Sequence, residues 1–145
     1  GLMAKSKFKQ KNTQVAEQKP AVVEYGRLVP KSIAKAAREN PAIVDKLNDF
    51  IELKKKNHLA PYGGNDKPFV SGGNLGRNLP KARKAHLTDD YSVIYEVSGK
   101  DPVTIKIDGV FSHADLGTGN PPNINIQRNM STRIANARLE EDELY

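Results

Sequence analysis

The fold is decided by residues 91–111, YSVIYEVSGKDPVTIKIDGVF, in which two strand-forming runs flank a turn. Tyr91–Val97 is rich in β-branched and aromatic residues, and Val103–Phe111 begins by alternating apolar with polar residues. Both patterns are typical of strands, and the glycine-containing Ser98–Asp101 between them is typical of a hairpin turn. We therefore expect an antiparallel meander, to which Ala82–Leu87 contributes an earlier, more polar strand.

Two helices are predicted upstream of this meander. The helical pattern starts at Pro30, because proline suits a first helical turn, and Asn40-Pro41 interrupts it. A second helix should run from Pro41 to about Lys55, where Lys54–Lys56 place positive charge at the negative end of the helix dipole. Its apolar residues recur at i, i+4, i+7 and i+8 and form one buried stripe, namely Ile43, Leu47, Phe50 and Ile51.

The remaining segments define the domain organisation. Residues 1–20 carry five lysines against one glutamate without apolar periodicity, which indicates a flexible basic arm. Ala21–Arg27 predicts a first strand, and the glycine-rich residues 57–80 predict a loop. After the glycine- and proline-rich residues 117–122 comes a polar segment, 126–139, whose pattern allows a helix, and an acidic tail follows it. Strand, two helices, loop and meander together predict a small α+β domain.

Composition excludes several classes of protein. The 145 residues suit one domain with an arm or tail, and 37% hydrophobic residues support one modest core. Without cysteine there is no disulfide, thiolate metal site or cysteine nucleophile. Since no apolar run is long enough to cross a membrane and no secretory signal is visible, we expect a cytoplasmic protein.

Net charge points to a polyanionic partner. The formal charge is +6, from 23 basic and 17 acidic residues, and the basic arm and acidic tail largely cancel. The body of the chain is therefore basic, which favours binding to the phosphates of a nucleic acid because neutralised phosphates release counterions. A soluble basic domain without such a partner is the alternative that composition alone leaves open.

Two histidines are the candidate catalytic residues. His86 and His113 each stand at the end of a predicted strand, and Asp90 follows the first closely enough to orient or share a proton with one of them. A pair of imidazoles can supply a general base and a general acid near neutral pH. Such a pair suits RNA cleavage, in which a base activates the 2′-hydroxyl and an acid protonates the leaving 5′-oxygen. Single strand-end histidines are, however, more often structural.

Basic and aromatic neighbours complete the candidate site. Lys81, Arg83 and Lys84 are predicted to bind RNA phosphates, and Lys67 is a further candidate for stabilising charge in the transition state. Tyr91 could stack on a base, although packing within the sheet is the alternative. No metal is predicted, because the spacing of His86, Asp90 and His113 matches no standard zinc site, and no other cofactor is expected.

Two of these segments resemble a known family. The stretch HLTDDYSVIY, from His86 to Tyr95, is similar to the His-x-x-x-Asp-Trp-x-x-Ile-Tyr segment of YafQ-type toxins in the RelE-like toxin–antitoxin superfamily. SHADL, from Ser112 to Leu116, resembles the His-x-Asp/Glu-Leu segment that ends the family's last strand. The resemblance covers residues 21–117. It implies a RelE-like fold and a ribosome-dependent mRNA endonuclease that a co-encoded antitoxin protein inhibits.

Carried over, the resemblance makes His86, Asp90 and His113 the catalytic group and places Tyr91 where the family often has tryptophan. The chain departs from the family in four places. Lys67 replaces a histidine, Phe111 stands where a glycine is usual while Gly109 lies two residues earlier, Gly117 replaces an aromatic residue, and residues 118–145 extend past the usual end.

Three hypotheses follow. The first is an mRNA endonuclease toxin of this kind, with RNA on the ribosome and an antitoxin as partners. The second is an RNase that cuts free RNA such as tRNA. The third is a non-enzymatic basic binding module, or a toxin that acts on a protein target. Ribosome dependence separates the first two, and retention of toxicity without His86 and His113 would indicate the third.

Overall fold

The computed structural model describes residues 19–68 and 79–143. Most of the predicted basic arm, part of the predicted glycine-rich loop and the last two residues of the acidic tail lie outside these ranges. The elements in chain order are β1 (Val22–Tyr25), α1 (Val29–Glu39), α2 (Ala42–Lys56), β2 (Lys67–Pro68), β3 (Arg83–His86), β4 (Tyr91–Ser98), β5 (Thr104–Ser112), α3 (His113–Leu116) and α4 (Ile124–Glu143). The predicted α+β class and the order strand, two helices, meander are confirmed.

The five strands form one sheet in the order β1-β5-β4-β3-β2. The meander β3-β4-β5 is antiparallel throughout, as the hairpin pattern predicts. Strand β1 pairs parallel with β5, the last strand in the chain, and so lies at the edge of the sheet opposite β2. Two residues of the predicted loop, Lys67 and Pro68, add a short edge strand against β3.

The sheet has a core on each face. Helices α1 and α2 cover one face, hereafter the helix side, where Phe50, Val93 and Ile107 are fully buried. Neighbouring strand residues point the other way, since side chains alternate along a strand. On that opposite face Ile94 and Phe111 pack against Met130 and other residues of α4. The segment that the sequence left as a possible helix is therefore helical and covers part of the sheet.

Helix α4 is also held to the sheet by ion pairs. Arg138 donates two hydrogen bonds to the buried carboxylate of Asp108, at 3.0 and 2.6 Å, and lies 3.7 Å from Glu96. Lys106 pairs with Glu141 beside them. Asp108 is the extra residue of a β-bulge, because Ile94 lies opposite Gly109 whereas the next residue of β4 lies opposite Ile107. The bulge and the helix thus stabilise each other.

A buried carboxylate ties the loop after α2 to the sheet. Asp66 accepts hydrogen bonds from Lys54 at 2.6 Å, from the amide of Tyr62 at 2.9 Å and from the hydroxyl of Tyr95. Arg83 lies 3.4 Å from Oδ1, the oxygen that also accepts from Tyr95, whereas Lys54 and Tyr62 donate to Oδ2. Burial alone would raise the pKa of Asp66, but these hydrogen bonds lower it below its usual value. The predicted lysines do end α2, but Lys54 is buried in an ion pair, whereas Lys55 and Lys56 are exposed.

We predict that Asp66→Asn lowers the free energy of unfolding by about 3–5 kcal/mol at neutral pH, because it leaves the Lys54 ammonium buried without a counter-charge. The double variant Lys54→Met/Asp66→Asn should lose much less than the sum of its single variants. Since the pKa of Asp66 is lowered on folding, its stabilisation is present above about pH 4 and is lost as the pH falls further. Urea unfolding across pH measures each quantity. If the double variant loses as much free energy of unfolding as the two single variants together, the ion pair is contradicted.

Candidate active site

The sheet brings the two candidate histidines together. His86 is the last residue of β3, and His113 follows directly after β5 at the start of α3. Strand β4 lies between β3 and β5, and the end of β3, the start of β4 and the end of β5 lie side by side at this edge of the sheet. The two imidazole rings are 5.4 Å apart between centroids, with 51° between their planes. The predicted juxtaposition of strand-end imidazoles is thus present in the geometry.

Hydrogen bonds fix the ring of His113. Its Nε2 lies 3.1 Å from the carbonyl oxygen of Asp89, and its Nδ1 lies 3.0 Å from the hydroxyl of Thr118. A carbonyl oxygen only accepts, so Nε2 carries a hydrogen and donates it. In the neutral ring Nδ1 then accepts from Thr118, and in the protonated ring it donates to the same hydroxyl. The local arrangement therefore accommodates both protonation states.

The turn after α3 places Thr118 beside this ring. Gly117 ends α3 with a φ of 71°, the left-handed conformation that glycine adopts without strain. The next amide, that of Thr118, then donates to the carbonyl of His113 at 3.0 Å. A Cβ at Gly117 would also lie 2.5 Å from the carbonyl oxygen of Asn123. The glycine that stands here in place of the family's aromatic residue is therefore required by the backbone.

His86 is half-buried, and its environment favours the neutral ring. Burial lowers the pKa of His86, and the nearby positive charges of Lys84 and Lys67 and the ring of His113 lower it further. Its Nδ1 is buried and has no hydrogen-bond partner among the described residues. The same is true of the hydroxyl of Ser92, which lies directly opposite His86 in the strand pairing and so shares its face.

Two lysines line the sheet next to the histidines. Lys67 of β2 lies opposite Lys84 of β3, so the two lysines share a face of the sheet. His86 stands two residues after Lys84 in β3 and therefore lies on that face as well. Burial lowers the pKa of Lys84, and the charge of Lys67 lowers it further. The arrangement concentrates positive charge beside a neutral imidazole. It can bind an anion and stabilise negative charge that develops there.

Asp90 contacts His113 through the backbone. Its carbonyl oxygen accepts the amide hydrogen of His113 at 3.0 Å, and its exposed carboxylate lies 3.4 Å from the same amide. The structure therefore places Asp90 at the start of α3 and not against either imidazole ring. Its neighbour Asp89 lies closer to the two histidines. The carbonyl oxygen of Asp89 accepts a hydrogen bond from the ring of His113, and its negative charge acts to raise the pKa of His86, against the groups that lower it.

Three of the predicted RNA-binding residues lie away from this cluster. Tyr91 is buried on the helix side, where it donates to Glu39, and burial together with that bond raises its pKa to about 12. Arg83 also faces the helix side, because it alternates with Lys84, and it donates to Tyr95 at 3.0 Å. Lys81 is exposed ahead of β3. Of this set only Lys84 shares a face with the histidines, and base stacking by Tyr91 finds no support in its placement.

Sequence reasoning missed three residues that lie beside the two rings. Asp89, Ser92 and Thr118 each stand within six residues of a candidate histidine, yet only the strand register and the left-handed turn at Gly117 show that they face it. Among the described residues no group of three or more acidic or histidine side chains is arranged to hold a metal ion. No helix in the described ranges is long and apolar enough to cross a membrane.

Comparisons with known proteins identify the fold. No protein-family model and no curated protein matches the sequence. Among solved structures, a YoeB/ParE toxin from Agrobacterium tumefaciens superposes with a TM-score of 0.51 at 18% identity, over 63% of this chain and 98% of that one. YafQ from the Escherichia coli DinJ-YafQ toxin-antitoxin complex superposes with a TM-score of 0.50 at 22% identity, over 67% of this chain and 97% of that one.

YafQ from Escherichia coli strain BL21(DE3) gives the same TM-score at 23% identity, over 66% of this chain and 97% of that one. Nearly the whole of each toxin thus matches about two thirds of the present chain. At this level of identity the likeness establishes the architecture, which is the one that the two sequence segments imply. The chain has the fold of YafQ- and YoeB/ParE-type toxins.

Proposed function

We propose that the chain is an endoribonuclease toxin that cuts mRNA, on the ribosome, by attack of a 2′-hydroxyl on the adjacent phosphorus. The observation that carries the proposal is the pair of imidazoles, 5.4 Å apart, beside Lys67 and Lys84 on one sheet face. The shared fold with YafQ-type toxins and the two sequence segments around His86 and His113 support it. No metal or other cofactor is needed for this chemistry.

His86 is the proposed general base. Its lowered pKa keeps the ring neutral near pH 7, as proton acceptance requires. Because Nδ1 is buried, Nε2 is the nitrogen that would meet the substrate. Nε2 accepts a proton only if Nδ1 carries the ring hydrogen, so the tautomer with the hydrogen on Nδ1 is the reactive one.

His113 is the proposed general acid. In its protonated form Nδ1 donates to Thr118 and Nε2 donates to the carbonyl of Asp89. During the reaction the Nε2 hydrogen would pass to the leaving 5′-oxygen, while Thr118 continues to hold the ring. Lys67 and Lys84 would stabilise the charge that builds on the phosphoryl oxygens. Asp90 would position His113 through its amide, and Lys81 would bind RNA outside the cluster.

A cognate antitoxin is the proposed protein partner. The support is the Escherichia coli complex in which YafQ, a protein of the same fold, is bound to DinJ. The ribosome as the site of action rests on the sequence resemblance to YafQ-type toxins. Mapping RNA 5′ ends after induction, and repeating the assay with purified protein and bare RNA, distinguishes cutting on the ribosome from cutting of free RNA.

The first test removes each imidazole. We expect His86→Ala and His113→Ala to lower the cleavage rate by on the order of 10²–10⁴, the usual contribution of general acid–base catalysis, with the melting temperature changed by only a few degrees. Cleavage of an RNA oligonucleotide in the presence of ribosomes, together with growth arrest on induction, measures the effect. Variants that fold and remain equally toxic would indicate a non-enzymatic action instead.

The second test uses pH. Because burial and Lys84 lower the pKa of His86, the acidic limb of kcat/KM should lie below the ordinary histidine value of about 6.5. In Lys84→Gln the loss of positive charge should move this limb to higher pH, whereas Lys46→Gln, an exposed change on α2, should leave it in place. A limb unmoved by Lys84→Gln would contradict His86 as the base.

The third test concerns Lys67, which stands where the family has a histidine. A lysine ammonium stabilises charge and does not act as a base near neutral pH. Lys67→Arg should therefore keep most of the activity, and Lys67→Ala should lose on the order of 10²-fold in rate. Lys46→Ala serves as the control for a lost surface charge. Wild-type cleavage by Lys67→Ala would show that β2 lies outside the catalytic arrangement.

A further inference from the structure

A second concentration of positive charge lies at the other end of the sheet. A cleft of about 610 Å³ is lined there by four lysines and a histidine, hereafter the distal basic cleft: Lys19, Lys55, Lys56, Lys100 and His58. Glu52 and Asp101 also line it, and Glu52 lies 3.8 Å from Lys55. Among the described residues, the ammonium groups of Lys19, Lys56 and Lys100 form no ion pair with a carboxylate. The cleft therefore carries an excess of positive charge.

Local structure accounts for only part of this charge. Lys55 and Lys56 end α2, where the helix dipole favours cations. Lys19 precedes β1 and Lys100 belongs to the turn between β4 and β5, so neither charge is placed by that helix. Three separate segments thus bring like charges to one concave surface, an arrangement that opposes folding through repulsion and favours the binding of an anion. In sequence, four more lysines precede it, at 5, 7, 9 and 11.

The cleft is separate from the candidate active site. His86 and His113 lie at the end of β4 that begins with Tyr91, and the distal basic cleft lies beyond the end at Ser98. Eight strand residues at about 3.3 Å each place the two roughly 25 Å apart. A ligand confined to the histidines cannot reach the cleft, whereas an RNA that continues beyond the cut site can.

We infer that the distal basic cleft binds the sugar–phosphate backbone of a structured RNA at a distance from the scissile bond. The inference rests on the proposed function and deepens it, because it assigns the enzyme a second contact with its RNA target. The lysines contribute point charges without a fixed fork of donors, which suits phosphates of any sequence. The cleft thus sets affinity for long or folded RNA and leaves the chemical step unchanged.

The test neutralises two lysines from different segments. In a His86→Ala background, which prevents cleavage, Lys56→Gln/Lys100→Gln is compared with Lys46→Gln/Arg128→Gln, two exposed cations elsewhere. Binding of a labelled RNA hairpin is measured by fluorescence anisotropy over a KCl series. We expect the cleft variant to bind about 10-fold more weakly, with its log–log salt slope lower by one to two, while the control keeps the parental slope.

A parallel measurement separates docking from catalysis. With His86 present and ribosomes at saturating concentration, the cleft variant should cut mRNA with the parental kcat and a raised KM, since the cleft lies away from the reacting groups. A parental salt slope, an equal loss in the control variant, a lowered kcat, or stronger competition by an acidic peptide than by RNA would each overturn the inference. If the protein cuts no RNA while the cleft variant still loses hairpin binding, the docking surface stands and the proposed chemistry fails.

Discussion

The buried carboxylate of Asp66 is the interaction on which the arrangement of the site depends. It joins the end of α2 through Lys54, the loop through the amide of Tyr62, and the sheet through Tyr95 and Arg83. Removing two charges from water is costly, and the cost is offset only where further hydrogen bonds satisfy both groups. Lys54 meets this condition, because it also donates to the carbonyl of Ala60 at 2.6 Å. Any shift of the loop would break several of these bonds together.

The same interaction positions residues of the candidate site. Asp66 immediately precedes Lys67, so fixing its carboxylate fixes where β2 begins and sets Lys67 opposite Lys84. Arg83 contributes from the other side of β3, since its guanidinium reaches Asp66 on the helix side while Lys84 and His86 face away from it. Alternation along four residues thus divides the basic strand into a residue that ties the loop to the sheet and two residues of the candidate site. A basic run that looks uniform in sequence is split between the two faces of the sheet.

The sequence predicted the parts of the fold that depend on local patterns. The hairpin around Ser98–Asp101 and the stripe of α2 follow from periodicity, and the meeting of His86 with His113 follows from the meander. What it could not predict depends on contacts between distant residues. Lys54 belongs to a helix-end lysine run in sequence, yet its buried partner lies twelve residues later across a loop. Tyr91 is likewise buried on the helix side, where its hydroxyl donates to Glu39 of α1, more than fifty residues earlier in the chain.

One departure from the family segment has its explanation in the C-terminal extension. Phe111 stands where the family has glycine, and its ring lies so close to Gly109 that a Cβ there would be 2.5 Å from it. Gly109 therefore leaves the space that the ring of Phe111 occupies. The ring joins Ile94, Met130 and Ile134 in the core beneath α4, so the aromatic residue provides the apolar surface that the helix covers.

The extension reaches the site as well, because Thr118, its first residue, binds the ring of His113. The departures at Phe111 and Gly117 and the added C-terminal residues are thus structurally linked. Gly117 turns the chain so that Thr118 meets the imidazole, and Phe111 receives the helix that follows. A domain that ended at residue 117 would keep both histidines but would lose the hydroxyl that holds one of them. The toxin-like fold and its extension therefore contribute together to the candidate active site.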